Sequence, residues 1–365
     1  MKTKTLSLTR KIQLKIDLPD YEERKAALAK LYDWQYCCFK ASNIIVSHQY
    51  IQEMIQDFFY LTEDIKYKIA DVKKHENGIL NRSRINSTYR VVSNRFKGRI
   101  PTDILDSLNK NLESSFHKNR SKYWSGERSL KNFKRNNGFP FAPRCMWSFR
   151  YDESRKAFCF RLFQIPFCTY LGRDFSDKRS LLHRVLKGET RLRTSEIKLQ
   201  DGKIFWLAVF DVQQEQHFLK PNVIAEASLS LECLIKAKIG SKRINIGTKE
   251  EFLYRRLAIQ AARKRALDAS KYTKGGHGKS RKLKAVDNFR DKEKKYVTQR
   301  LHVYSKMLID FCVKHHAGTL ILIDQEAKIE AAKQQNFVLR NWNYYELMTK
   351  IEYKAKKAGI ELIVD

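Results

Sequence analysis

The sequence predicts an α+β chain of several domains, and three observations predict it. Apolar residues keep a helical period up to the breaker-rich stretch Asn136-Asn137-Gly138-Phe139-Pro140-Phe141-Ala142-Pro143. From there to Lys220-Pro221 the period is that of strands. Beyond Pro221 the order is strands (residues 223–245), a long basic helical hairpin, a strand (319–324), a helix (342–358) and a last strand (360–365), which is the order of an α/β domain.

The 365 residues carry 72 Lys and Arg against 40 Asp and Glu, a formal charge of +32 spread from end to end. Charge distributed in this way suits a polyanion contacted over a long track, and nucleic acid is the expected partner. A charge serving only solubility, or a membrane surface, fits less well. Aromatic residues make up 12% of the chain, rich for a solvated basic scaffold, and no basic amphipathic helix stands alone. No apolar run approaches the ~18 residues of a membrane span. The start, Met1-Lys2-Thr3-Lys4-Thr5-Leu6-Ser7-Leu8, lacks a secretory apolar core, so a cytoplasmic, nucleoid-associated protein is expected. Cys37, Cys38, Cys145, Cys159, Cys168, Cys233 and Cys312 show no C-x-x-C pair, so no metal site is predicted and the thiols are expected to be reduced.

Residues 3–16 alternate as a strand through Leu6, Leu8, Ile12, Leu14 and Ile16. Asp20 is placed to cap the helix that follows, whose stripe is Leu31, Trp34, Cys38, Ala41 and Ile45. Separate helices are expected over 47–59 and 62–74, with a turn at Asn77-Gly78. The stretch 83–97 interleaves polar groups with cations, and Tyr89, Ser93, Asn94, Arg95 and Lys97 are its candidate DNA contacts. A solvated helix face has the same composition. After a helix opened by Thr102, with Ile104, Leu105, Leu108 and Leu112 inside, residues 118–135 set seven cations among Tyr123, Trp124 and Phe133. Cations for phosphates and flat rings for bases are what single-stranded or RNA binding needs.

In the strand block, Gln200-Asp201-Gly202 signals a hairpin between strands over 191–199 and 203–212. The block reads as a small β-barrel, which the strand over 3–16 is expected to join, since it otherwise has no sheet. In the last segment Arg255, Arg256, Arg263, Lys264 and Arg265 stud one helix, and Val297, Leu301, Tyr304, Leu308 and Phe311 stripe the next. The glycine-rich basic loop at 272–284 lacks the order of a phosphate-binding loop, so no nucleotide cofactor is predicted. His315-His316 reads as helix-end charge. The element order of this segment is that of a ribonuclease-H-like domain, in which carboxylates on strands hold two divalent metals against a phosphodiester.

Four segments carry a resemblance to a known family. They are Ile100-Pro101-Thr102-Asp103-Ile104-Leu105 with the run 125–135 and Phe139-Pro140-Phe141, then 246–256, then 292–297 with its helix, and last 351–363. The chain resembles the TnpB-type transposon nucleases and, more closely, the miniature type V CRISPR effectors. The resemblance implies a wedge β-barrel with an inserted helical recognition lobe, followed by a RuvC-like nuclease domain. The expected divisions are first wedge strands at 1–18, recognition lobe at 19–137, the rest of the wedge barrel at 138–220 and the RuvC-like domain at 221–365. It also implies a guide RNA whose pairing selects a target double-stranded DNA, and two copies paired on one guide.

The departures from the family pattern are specific. Where the resemblance places the first catalytic aspartate, this chain has Ser228; where it places the second carboxylate, it has Ile323, with Asp324 one step later. Glu226, Glu232 and Glu326 lie nearby. The family continues into a cysteine zinc ribbon and a third aspartate, which are expected to be missing from a truncated domain ending at Asp365. The expectation is a nuclease-dead, RNA-guided DNA-binding protein, not an enzyme, that regulates transcription by recruiting a sigma factor and RNA polymerase or by blocking polymerase. The alternatives are an active or remnant RNA-guided endonuclease, and an unguided RNA-binding protein. Guide-RNA contacts are expected at Arg128, Lys131, Lys134 and Arg135, and at Arg255, Arg256, Arg263 and Lys264. Beyond the guide RNA no cofactor or metal is expected.

Overall fold

The computed structural model describes residues 5–59, 84–172, 176–229, 233–272, 283–323 and 344–364, in two compact units. The expected helix 62–74, the Asn77-Gly78 turn, nearly all of the 272–284 loop, and Glu232, Asp324 and Glu326 lie outside the described residues.

One unit comprises residues 7–212. Strand β1 (Thr5–Ile16) is followed by α1 (Tyr21–Phe59), α2 (Arg84–Phe96), α3 (Thr102–Lys118) and the short α4 (Arg120–Trp124). Asp20 does cap α1: its carboxylate accepts the Glu23 backbone N–H at 2.9 Å. α1 runs unbroken for 39 residues, where two helices were expected. The reason is local, since no Gly or Pro falls between Tyr21 and Phe59 and Ser47 sits mid-helix. Thr102 is the first residue of α3, preceded by Pro101 at the cap position, not the cap itself.

Strands β2 (Phe139–Phe141), β3 (Met146–Asp152), β4 (Ala157–Leu162), β5 (Ile165–Tyr170), β6 (Arg191–Leu192), β7 (Ser195–Gln200) and β8 (Lys203–Gln213) complete the sheet. Helix α5 (Lys178–Leu186), which the pattern did not announce, bridges β5 and β6 and buries Leu181 and Leu182. The order is β2-β7-β8-β1-β5-β4-β3, with β6 on β8. The N-terminal strand therefore sits mid-sheet, as expected of it. Among the described residues the barrel is a curled half-barrel, since β2 and β3 remain its ends. Asp201 and Gly202 both take positive φ, 52° and 71°, the two-residue turn the sequence signals between β7 and β8. Helices and sheet share one core, in which Trp34 of α1 and Ile104 of α3 join Phe139, Phe160, Trp206 and Phe210. Cys159 and Cys168 face each other across β4 and β5 and form a disulfide, so these two depart from the expected reduced thiols; the other five are free and buried.

The second unit holds residues 213–365 with the first six residues. Gln214 and Glu215 at its start donate to the Lys356 and Lys357 carbonyls, and β9 (Lys220–Ser228) follows. Strands β10 (Cys233–Ile239) and β11 (Lys242–Thr248) complete an antiparallel meander with β9. Helices α6 (Lys249–Tyr272) and α7 (Lys284–Lys314) lead to β12 (Ala317–Leu322), then α8 (Tyr344–Ala358) and β13 (Glu361–Val364). β12 pairs parallel with β9, and β13 parallel with β12. The order β11-β10-β9-β12-β13 is that of a ribonuclease-H-like sheet. One face of it buries Ala225, Ala227, Ile235, Leu320 and Leu322 in a core that includes the stripes of α7 (Val297, Leu301, Tyr304, Leu308) and α8 (Leu347, Ile351, Ala355).

Two predictions follow from this packing. A Cβ on Gly138 would lie 2.3 Å from both the Ile197 carbonyl oxygen and Glu196 Oε1, so Gly138→Ala must push β2 off β7. A loss of about 1–3 kcal/mol is expected, read by denaturant unfolding. Lys354 on α8 donates to Ser305 Oγ at 2.8 Å and to the His302 carbonyl, and burial followed by the nearby Lys350 charge lowers its pKa to about 8. In the unfolded chain it keeps the ordinary value of 10.5. Between these values the unfolded state binds more protons, so stability rises with pH across that window and the cost is full below it. Lys354→Met is expected to stabilise at pH 7 and to lose that part of the pH dependence, read by urea midpoints at both ends of the window.

Candidate nucleic-acid interface

In the half-barrel unit α2 turns Thr88, Val92 and Phe96 inward. Thr88 accepts from Gln49 and Gln52 of α1, which holds α2 along that helix. Asn94 lies on the opposite face, and Asn94, Arg95 and Lys97 are all exposed. Ser93 is half-buried, and Tyr89 is half-buried against the core. Three of the five expected DNA contacts thus stand in solvent, and Ser93 and Tyr89 are half-buried.

The run after α4 has no regular structure, and side-chain amides of α1 hold it in place. Asn43 accepts the Phe133 N–H at 2.9 Å and donates to its carbonyl at 3.3 Å. Gln35 donates to the Arg135 carbonyl at 3.2 Å and accepts the Leu199 N–H at 3.0 Å. Satisfying the backbone this way leaves the long cations outward. Arg128, Lys131, Lys134 and Arg135 are all exposed. Arg128 donates to Asn119, Lys131 to Ser115 Oγ at 3.0 Å, and the Arg135 guanidinium lies 5.3 Å from the Tyr36 ring centre. The rings answer differently from the sequence reading. Tyr123 is buried on Phe116, with ring centres 5.3 Å apart, and Phe133 packs on the core. Trp124 alone of the three is exposed, edge-on to Tyr50. A run with little apolar content spends its aromatic residues on anchoring itself.

In the second unit α6 carries Arg255 and Lys264 exposed and Arg263 half-exposed. Arg256 corrects the expectation for this group. It is 7% exposed, and its guanidinium bonds Glu293 of α7 at 2.8 Å, so it ties the helical hairpin together instead of facing a phosphate.

The open face of the five-stranded sheet holds the family-pattern positions. Directly opposed residues of neighbouring strands share a face. One row is therefore Arg243, Lys238 and Glu226, continued on β12 by Ile321. The next is Asn245, Lys236 and Ser228. The Ile323 N–H donates to the Ala227 carbonyl at 2.9 Å, which sets Ile323 beside Ser228. Ser228 and Ile323 line one cavity of about 430 Å³ with Glu226, Lys236, Lys238 and Arg243. Glu226, the carboxylate among the described lining residues, bonds Lys238 Nζ at 2.7 Å. Two hard divalent cations need several carboxylate oxygens. Among the described lining residues, an isoleucine, a serine and a lysine-paired glutamate beside three cations supply fewer carboxylate oxygens than that pair needs.

No family model matches the chain. The sheet order brings the family-pattern positions Ser228 and Ile323 together at the ends of β9 and β12. Over 194 residues, 51% of this chain and 44% of the relative, it is 27% identical to the CRISPR-associated endodeoxyribonuclease Cas12f1 of Sulfoacidibacillus thermotolerans. Over 109 residues, 30% of this chain and 21% of the relative, it is 34% identical to the Cas12f1 of Syntrophomonas palmitatica. The matched part spans less than half the length of either relative. A Cas12f1 chain solved by cryo-EM with sgRNA and target DNA shares the fold, with a TM-score of 0.67 at 15% identity over 98% of this chain and 88% of that one. The chain is homologous to the Cas12f1 proteins, the miniature type V CRISPR effectors.

The ion pair in α6 and the exposed arginine beside it separate experimentally. Arg256→Ala leaves the Glu293 carboxylate without its counter-charge, with the Gln260 amide still donating to it, and is expected to cost about 3 kcal/mol. Arg255→Ala is expected to stay within about 0.5 kcal/mol. Thermal unfolding of the two variants checks the difference.

Proposed function

We propose that this chain is an RNA-guided nucleic-acid-binding protein that occupies a guide-matched DNA duplex without cutting it, and so regulates transcription. Homology to the Cas12f1 endodeoxyribonucleases supports the guided binding. The observation that carries the non-cutting half is the placing of Ser228 beside Ile323 in a cavity whose charged groups, among the described residues, are Lys236, Lys238, Arg243 and a lysine-bound Glu226. Stable occupancy near a promoter would recruit a sigma factor and RNA polymerase or block polymerase, and a second copy on the same guide is part of the reading. The guide scaffold and heteroduplex backbone lie along Arg128, Lys131, Lys134 and Arg135, with Arg255, Arg263 and Lys264 on α6. Asn94, Arg95 and Lys97 face the target duplex. No helix among the described residues is long and apolar enough to cross a membrane.

The test is to purify the protein from its host, sequence the RNA retained in high salt, and offer the complex a duplex matching the variable end of that RNA with magnesium. One dominant RNA and a bound, intact duplex are expected. Magnesium-dependent cleavage would overturn the non-cutting half, including by way of Glu232, Asp324 or Glu326. A smear of cellular RNAs would overturn the guided half. Charge reversal at Arg128, Lys131 and Arg135 together is expected to lower RNA retention at least about tenfold, with a shallower salt dependence; unchanged retention would remove that run from the interface.

A further inference from the structure

The outer face of the half-barrel sheet carries a side-chain cluster that the proposed function leaves unused. Cys159 of β4 and Cys168 of β5 are directly opposed. Their chain neighbours Phe158, Phe160 and Phe167 point into the core, so alternation sends both sulfurs to the other face. There the two cysteines form a small buried group with Ala157, apart from the main core. Asp17 follows the end of β1, and its backbone N–H donates to the Pro166 carbonyl at 2.9 Å, which fixes it beside β5. Among the described residues, one ligand atom from each of Asp17, Cys159 and Cys168 falls within 4.8 Å of the other two. The two Asp17 oxygens have different neighbours. Oδ1 accepts from the Arg155 guanidinium at 2.6 Å, and Oδ2 lies 3.3 Å from Cys168 Sγ. Arg150 stands opposite Cys159 on β3 and Lys15 opposite Cys168 on β1, and both are exposed.

We propose that Cys159, Cys168 and Asp17 form a site for one thiophilic divalent cation of the zinc class, open when the two cysteines are reduced and closed by their disulfide. The site is independent of the guided, non-cutting reading. The disulfide spans nine residues of a hairpin, so its effect through the unfolded chain lies toward the low end for such bonds, and stability is a weak account of the pair. A dithiol reductant opens the site. Two electrons pass to the sulfur–sulfur bond, the reductant's two protons go to the cysteines, and the reductant leaves as its own disulfide. The cation then replaces the two thiol protons, which go to solvent as two metal–sulfur bonds form. Two thiolates and a carboxylate leave a fourth tetrahedral position to water, a donor set that suits zinc or cadmium and not magnesium or calcium. Zinc–sulfur bonds of about 2.3 Å set the sulfurs about 3.8 Å apart, which opposed side chains of adjacent strands reach by rotation about χ1. A divalent ion with three anionic ligands keeps one negative charge, and Arg155 answers it. By holding Oδ1, Arg155 also leaves Oδ2 toward the sulfurs, the orienting role of an outer-shell partner. No short cysteine motif announces the site, because strand register brings the two thiols together and the end of β1 supplies the third ligand.

The test uses the full chain without nucleic acid. One portion is reduced with dithiothreitol and freed of it under nitrogen, another is kept oxidised, and both are titrated with cadmium chloride. The thiolate-to-cadmium charge-transfer absorption of the reduced chain, less that of the oxidised chain, is expected to saturate at one equivalent. Cys159→Ser and Cys168→Ser are each expected to abolish this difference, and Asp17→Asn to weaken the affinity at least about tenfold. Cys37→Ser/Cys38→Ser, Cys145→Ser, Cys233→Ser and Cys312→Ser are expected to keep it, which separates the pair from the five free thiols. Zinc should displace the cadmium, and excess magnesium should not. The melting temperature of the reduced chain should rise with cadmium concentration, and that of reduced Cys168→Ser should not. Melting of the metal-free variants shows which of them fold. No difference between the reduced and oxidised forms of the unmodified chain would overturn the site, and that result depends on no variant. So would absorption that survives in Cys159→Ser or Cys168→Ser, an unchanged affinity in Asp17→Asn, or displacement by magnesium.

Discussion

The parallel pairing of β9 with β12 is the constraint on which the second unit depends. The two strands lie some ninety residues apart in the chain, yet their register places Glu226 opposite Ile321 and Ala227 opposite Leu322. The approach is close enough that a Cβ on Gly318 would come within 2.7 Å of the Lys220 carbonyl oxygen, so glycine is needed there for proximity, not for an unusual φ. Because side chains alternate, this one register sends Ala225, Ala227, Leu320 and Leu322 to the core and Glu226 and Ser228 to the open face, with Ile323 closing the cavity beside Ser228. A slip of one residue would exchange the two sets and destroy both the core and the face.

Cations in this protein fall into two physical groups that composition cannot separate. Arg256 and Arg120 pair with the well-buried carboxylates of Glu293 and Glu53, and their energetic role is to keep a charge from being stranded away from water. Arg128, Lys131, Lys134 and Arg135 stand in solvent on a backbone held by Asn43 and Gln35, where their attraction to an anion is available to a ligand. The row of Arg243 and Lys238 lies between these cases. It is exposed, fixed by strand pairing, and only partly neutralised by Glu226. Fixed geometry with uncompensated charge is the arrangement that favours ligand binding over stability.

Much of the architecture was legible in the chain, for reasons particular to each element. The Asp201-Gly202 turn, the Asp20 cap, the stripes of α7 and α8 and the placement of residues 5–16 in the first sheet all rest on short-range stereochemistry or on an unpaired strand needing a sheet. The candidate site was legible only through family positions. Ser228 and Ile323 could be picked out by resemblance, while Lys236, Lys238 and Arg243 were not singled out at all. An alternation of Lys with Ile, Ala and Ile along 235–239 is the signal that could have found them, since it puts every lysine on one face of β10.

The sequence by itself determined what local physics controls: element types, the large positive charge, the breaker-rich junction at 136–143 and the turns. Tertiary structure alone decided which rings are exposed, burying Tyr123, half-burying Phe133 and leaving Trp124 out. It decided that Arg256 is an internal brace and Arg255 a surface group. It also decided that residues from β9, β10, β11 and the end of β12 share one cavity. The reason is common to all three: burial and cross-strand adjacency depend on partners distant in the chain, whereas caps, turns and periodicity depend on neighbours a few residues away.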